Sequence, residues 1–169
     1  AYGYLRENKA VLDEVRQRFE VPGEVLVALL LVETKLGLNT GTSKALMVLA
    51  NMALVWDLAV ITPYLSRAEL APEIKDWLAA RTLQKSDWAY EELEALLQYA
   101  RAGGLDPLEI PGSAYGAIGI CQFMPTNALA YGVDGDGDGK VDLFDKADAL
   151  HSMANFLRAH GWRKDMTEA

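Results

Sequence analysis

The chain has 169 residues, 51% of them hydrophobic, and a formal net charge of −8. That length suits one domain with a real core, the apolar fraction excludes a disordered chain, and the negative charge argues against nucleic acid as a partner. Cys121 is the sole cysteine, so no internal disulfide forms, and His151 and His160 lack zinc-ligand spacing.

Leu5, Val11, Leu12, Val15 and Phe19 recur at helical spacing and predict a helix over 4–19. Val21-Pro22-Gly23 breaks it, and Glu24 suits the start of the next helix. That helix runs to Leu36, with Gly37 as its C-cap. Val25, Leu26, Leu29, Leu30 and Val32 leave it little polar surface, so burial on most sides is expected, with Glu33 in or beside the core. A carboxyl in such a place either pairs or stays protonated. A protonated carboxyl is what a general acid needs, but a structural glutamate ending a core helix has the same signature. No apolar run reaches membrane-spanning length, because Pro22, Gly23 and Glu24 interrupt this one. No signal peptide precedes it, and the start at Ala1-Tyr2-Gly3 reads as a mature or trimmed form.

Ser43 is the expected N-cap of a helix from Lys44, with Ala45, Leu46, Leu49, Met52, Ala53 and Trp56 as its apolar stripe and an end before Pro63. Residues 73–84 read as an amphipathic helix with Ile74, Trp77, Leu78 and Leu83 inward. Ser86 or Asp87 caps a further helix to Ala102, which packs Trp88, Leu93, Leu96, Leu97 and Ala100 and stops at Gly103-Gly104. A short helix spans 125–131 and a last strong one 145–160, with Ala149, Leu150, Met153 and Leu157 on one face. No sustained alternation marks a large sheet, so the chain reads as all-α with about seven helices.

Residues 134–145 fit a twelve-position EF-hand calcium loop. Asp134, Asp136 and Asp138 take its first, third and fifth positions, and Gly139 the sharp turn. Lys140 offers a backbone carbonyl, Asp142 a ninth-position ligand, and Asp145 the last position, where a longer glutamate is usual. These carboxylates repel one another unless a cation neutralises them, and a hard, flexibly coordinated ion such as Ca2+ suits them better than zinc. The loop is expected to fix the chain on either side of it.

Just before it, residues 112–126 are rich in glycine and small residues, which permit close backbone approach. Ser113, Tyr115 and Gln122 offer polar contacts and Phe123 an aromatic wall, a composition that suits either a sugar-binding groove or a close-packed core turn.

Taken together, Val32-Glu33-Thr34 with Gly37, then Ser43 with Ala45-Leu46, the Gln122-Phe123-Met124-Pro125 segment, the acidic loop, and Ala154-Asn155-Phe156 through Gly161-Trp162 resemble one family in order and type. They are similar to the catalytic domain of the membrane-bound lytic transglycosylase B type, whose fold is like goose-type lysozyme. The resemblance covers most of the chain as a single domain, with a helical insertion at 57–86. It implies cleavage of the MurNAc-β-1,4-GlcNAc bond of peptidoglycan with formation of 1,6-anhydromuramic ends. Glu33 matches the single catalytic glutamate, acting as acid and then base. Ser113, Tyr115, Gln122 and Phe123 fall at groove positions. The resemblance also implies a structural calcium ion, glycan strands as the partner, a periplasmic or cell-envelope location, and a monomer.

The chain departs from the family pattern in three places. Ala114 and Tyr115 exchange the usual order of aromatic and small residue, the 57–86 segment replaces a short link, and no Tyr-Asn…Tyr segment follows Trp162. Other readings therefore stay open. A lysozyme-like hydrolase would need a second carboxylate, for which Asp57 or Asp87 qualifies only if the insertion covers the cleft. A peptidoglycan-binding protein with little or no catalysis and a calcium-regulated interaction protein are the others.

Overall fold

The computed structural model describes residues 1–64 and 71–163. The middle of the expected insertion, residues 65–70, lies outside the described residues. The helices are α1 (Tyr2–Glu7), α2 (Lys9–Phe19), α3 (Gly23–Thr34), α4 (Ala45–Ala53), α5 (Leu58–Ile61) running into a 3-10 turn (Thr62–Tyr64), α6 (Pro72–Gly103), α7 (Pro125–Tyr131) and α8 (Lys146–Ala159). The all-α expectation holds. Among the described residues the sheet is a two-residue antiparallel ribbon, β1 (Ser43–Lys44) against β2 (Pro111–Gly112).

Local chemistry moves several boundaries. The first predicted helix is two, because the Asn8 side chain donates to the Tyr4 carbonyl at 2.9 Å and competes with the helix ladder. Ser43 is not a helix cap; it pairs with Gly112 in the ribbon, and α4 starts at Ala45. α4 ends at Ala53, and Asp57 caps the separate α5 by accepting from the Ala59 N–H at 2.9 Å. Ser86 does not start a helix either. Its hydroxyl donates to the Ala53 carbonyl at 2.6 Å, which ties α4 to the middle of one unbroken 32-residue α6. One expectation stands as read: α6 stops at Gly103-Gly104, with Gly104 in the left-handed conformation. Asp145, read as the first residue of the last helix, is instead the cap of α8 and accepts from the N–H groups of Ala147 and Asp148.

α3 crosses the core, burying Leu26, Val27, Leu30 and Thr34, and packs against α1, α2 and α8. It is not buried on most sides, since Val32 is 81% exposed and Leu31 is exposed beside it. α6 is buried along one face, through Ala89, Glu92, Leu96, Tyr99 and Gly103, at three- and four-residue steps that meet α4 and α7. Before Thr82 none of its residues is buried, and the expected inward residues Ile74, Trp77 and Leu83 are exposed. The amphipathic pattern there marks a face without a core to meet. Among the described residues no single helix is long and apolar enough to cross a membrane.

Two titratable groups lie in the core close to the candidate site. Burial pushes the Cys121 thiol from 9.0 up to about 12, with the Glu33 charge a smaller contributor in the same direction. Burial likewise pushes Tyr99 from 10.0 up to about 12. Both groups hold their protons more tightly folded than unfolded, so unfolding at alkaline pH releases protons. Stability is therefore expected to be full below pH 9.0 and to fall as the pH rises toward about 12. Urea unfolding across that window checks this. Cys121→Ala flattens the decline, and a pH-independent stability would contradict it.

Candidate active site

Glu33 sits in the last turn of α3, and it is exposed rather than buried. The expectation of a core carboxylate is corrected by the helix end. α3 stops at Thr34, and Lys35, Leu36 and Gly37 follow at φ +54°, +64° and +87°. That left-handed run turns the chain away and leaves Val32 and Glu33 facing solvent. A left-handed leucine is a strained residue that persists only where its surroundings hold it. Among the described residues the Glu33 carboxylate has no hydrogen-bond or ion-pair partner. The buried glutamate of this fold is Glu92 of α6, which accepts from the Thr126 N–H at 2.9 Å and its hydroxyl at 2.7 Å and so closes the start of α7.

What holds the turn is Thr34, fully buried. Its hydroxyl donates to the Ile120 carbonyl at 2.9 Å and accepts from the Gly37 N–H at 2.9 Å. Ile120 lies in a tight hairpin closed by Ile118 and Phe123, which exchange backbone bonds of 2.8 and 3.0 Å. Within it Gln122 adopts φ +52°, and its amide donates to the carbonyls of Gly119 and Thr40 at 3.0 and 3.2 Å. The loop after α3 and the hairpin are thus joined twice. The hairpin in turn bonds the acidic loop, Ile120 N–H to the Leu143 carbonyl at 2.8 Å, and the Leu143 N–H bonds the Tyr99 hydroxyl at 2.9 Å. Gly119 is required at that junction. It has φ +74°, and a Cβ there would lie 2.4 Å from the Leu143 Cβ.

The other predicted groove residues divide. Ser113 organises its own turn, accepting from the N–H groups of Tyr115 at 3.2 Å and Ala117 at 3.1 Å. Tyr115 projects outward, exposed, with the Lys85 ammonium 5.0 Å from its ring centre. Phe123 is buried, and its ring packs on Phe156 with centroids 5.3 Å apart. Asp57 is occupied in capping α5, and Asp87 lies exposed on α6.

In the acidic loop the carboxylate oxygens of Asp134, Asp136 and Asp138 come within 4.8 Å of one another, as do those of Asp136, Asp145 and Asp148. Such an all-carboxylate set suits a hard divalent cation. Asp142 falls outside both groups, and its carboxylate accepts from the Phe144 N–H at 2.9 Å. Asp148 has no place in the twelve-position pattern. It is buried and accepts from the Gly135 N–H at 2.7 Å and the Asp142 N–H at 2.6 Å, tying both ends of the loop to α8. Its spacing from Asp145, one helical turn on, was the available sequence signal.

Replacing Thr34 by valine keeps the volume and removes the hydroxyl. Each buried backbone group left unpaired costs about 1–3 kcal/mol, so Thr34→Val is expected to lose at least that much stability by denaturant titration. A loss under about 0.5 kcal/mol, the level of an ordinary surface change, would contradict this role for Thr34.

The profile of the transglycosylase SLT domain family matches residues 1–169. The chain is 35% identical over 161 residues to membrane-bound lytic murein transglycosylase B of Escherichia coli K12, a match covering 95% of this chain and 37% of that protein. Among solved structures it is similar to the E. coli lytic transglycosylase Slt35 in complex with calcium, with TM-score 0.76, 31% identity, and coverage of 95% of this chain and 43% of that one. It is also similar to Pseudomonas aeruginosa SltB3 in complex with NAG-anhNAM-pentapeptide, with TM-score 0.74, 30% identity, and coverage of 95% and 36%. The chain therefore spans less than half the length of each of these relatives.

Proposed function

The chain belongs to the transglycosylase SLT domain family, an all-α, lysozyme-like fold, and on that premise we propose that it cleaves the glycan strands of peptidoglycan as a lytic transglycosylase. The observation that carries the reading is Glu33, a carboxylate without a partner, held at the exposed end of a core helix by Thr34.

A glycan laid across this end of α3 displaces water from Glu33, and the exposed Leu31 and Val32 beside it make that surface apolar. Desolvation favours the protonated carboxyl, which is the form a general acid requires. Glu33 donates its proton to the glycosidic oxygen as the bond from the muramic anomeric carbon breaks. The departing GlcNAc leaves as an alcohol. The O6 hydroxyl of the same muramic residue attacks that carbon and gives its proton to the Glu33 carboxylate. The 1,6-anhydro ring closes, the glutamate is reprotonated, and no water is consumed. One carboxyl suffices for this route; of the two candidate second carboxylates, Asp57 caps α5 and Asp87 lies exposed on α6. Among the relatives, SltB3 in complex with NAG-anhNAM-pentapeptide supports an anhydro product. Ser113 and Gln122 hold the shape of the adjoining 113–117 turn and 118–123 hairpin, and the exposed Tyr115 would be available to the glycan.

The acidic loop would hold a calcium ion through Asp134, Asp136, Asp138, Asp145 and Asp148. The Slt35 complex with calcium supports that assignment. When bound, the ion supplies charge neutralisation, and it braces Leu143 and through it the hairpin that receives Thr34. A periplasmic or cell-envelope location follows from a peptidoglycan substrate.

Glu33→Gln is expected to lower the release of soluble fragments from purified sacculi by about 10²–10⁴-fold with an unchanged melting temperature. Retained cleavage would overturn the assignment of Glu33. Calcium at about a hundred times its dissociation constant should stabilise the fold by about 2.7 kcal/mol, reversed by chelator. Identical melting curves with calcium and with chelator would remove the metal from the account.

A further inference from the structure

The first half of α6 presents an unusual face. Trp77, Arg81, Gln84 and Trp88 are spaced four, three and four residues apart, so they stack along one side of the helix. That side is open. A cavity of about 620 Å³ is bounded by Arg81, Gln84, Lys85, Trp88 and Tyr115, and a second of about 440 Å³ by Trp77, Ala80, Arg81 and Gln84. The two share Arg81 and Gln84, so they form one groove that runs from the loop carrying Tyr115 out along α6. Trp77 is 63% exposed, although its apolar pattern reads as core.

Chemistry limits what fits. Among the described residues the groove is lined by two cations and no carboxylate, in a chain of net charge −8. Neither cation has a carboxylate partner among the described residues. The Arg81 guanidinium donates to the Gln84 side chain at 2.6 Å, and Lys85 stands over the Tyr115 ring. Arg81 is thereby held in place with further N–H groups available, an arrangement suited to a planar carboxylate. Exposed indoles spaced along a groove suit the flat C–H faces of pyranose rings, and polar groups between them suit hydroxyl and amide substituents.

We propose that this face of α6 is a glycan-holding groove for an aminosugar strand bearing carboxylates, with sugar rings on Trp77 and Trp88 and a carboxylate at Arg81 and Lys85. It extends the substrate site beyond the catalytic residue and rests on the reading of the chain as acting on peptidoglycan. It also gives the extended α6 a role: the turns before Thr82, which contribute nothing to the core, lengthen the bound strand.

Binding is measured in the full chain carrying Glu33→Gln, so that ligand is not consumed. Two probes are used, a short muramic-acid-containing glycan and a GlcNAc oligomer of equal length that lacks carboxylates. Adding Arg81→Gln should weaken the muramic glycan about tenfold and bring it level with the GlcNAc oligomer, whereas Trp77→Ala should weaken both about tenfold. Both positions lie where α6 buries nothing, and unchanged melting temperatures verify the fold. Parental affinity of both variants for both glycans would overturn the groove. So would a change confined to self-association in sedimentation, which would make this face a protein interface. Cleavage by Glu33→Gln alone would instead refute the catalytic reading, and the groove is then read from the initial binding of both glycans before turnover, with the same outcomes.

Discussion

The site depends on one hydroxyl. Thr34 joins the end of α3 to the 118–123 hairpin by donating to Ile120, and it holds the left-handed turn by accepting from Gly37. From Ile120 the connection runs to Leu143 in the acidic loop and to the Tyr99 hydroxyl on α6. Four segments far apart in sequence thus meet through consecutive hydrogen bonds in a buried region, where an unmade bond costs more than a made one contributes. The strain at Lys35 and Leu36 is tolerated because this network over-determines it. Its product is an exposed glutamate on a rigid support.

That arrangement differs from a glutamate buried in the resting protein. A buried carboxyl carries its desolvation at all times and needs partners, as Glu92 has in Thr126. An exposed one in a partly apolar rim keeps its water until something covers it. The exposed Leu31 and Val32 then have a function in the rim, not a misfit with the core. The same logic applies to Trp77, whose apolar periodicity fits a core face but which lies exposed on a groove.

Much of this was legible in the sequence, for identifiable reasons. The all-α class followed from periodicity. The end of α6 at Gly104 followed from local chemistry that acts within a few residues. The carboxylates of the acidic loop declared themselves by spacing, and the order of motifs pointed to the family. What failed was whatever depends on distant partners. Ser43 and Ser86 look like helix caps, and their neighbours in space, Gly112 and Ala53, are invisible to a local reading. Apolar periodicity cannot separate a core face from a groove face, which is why Glu33 and Trp77 were both expected inside. The packing of Phe123 on Phe156 was out of reach for the same reason, since the two lie far apart in sequence. Asp148 was missed because it lies one helical turn past the loop pattern that was matched.

The central claim is that a single carboxyl at the end of α3 closes an anhydro ring with a hydroxyl of the substrate itself, without water. Digestion of sacculi in heavy-oxygen water, with mass analysis of the released muropeptides, tests that most directly. The account predicts anhydromuramic ends that carry no heavy oxygen. Reducing ends labelled at the anomeric carbon would contradict it and make the protein a hydrolase.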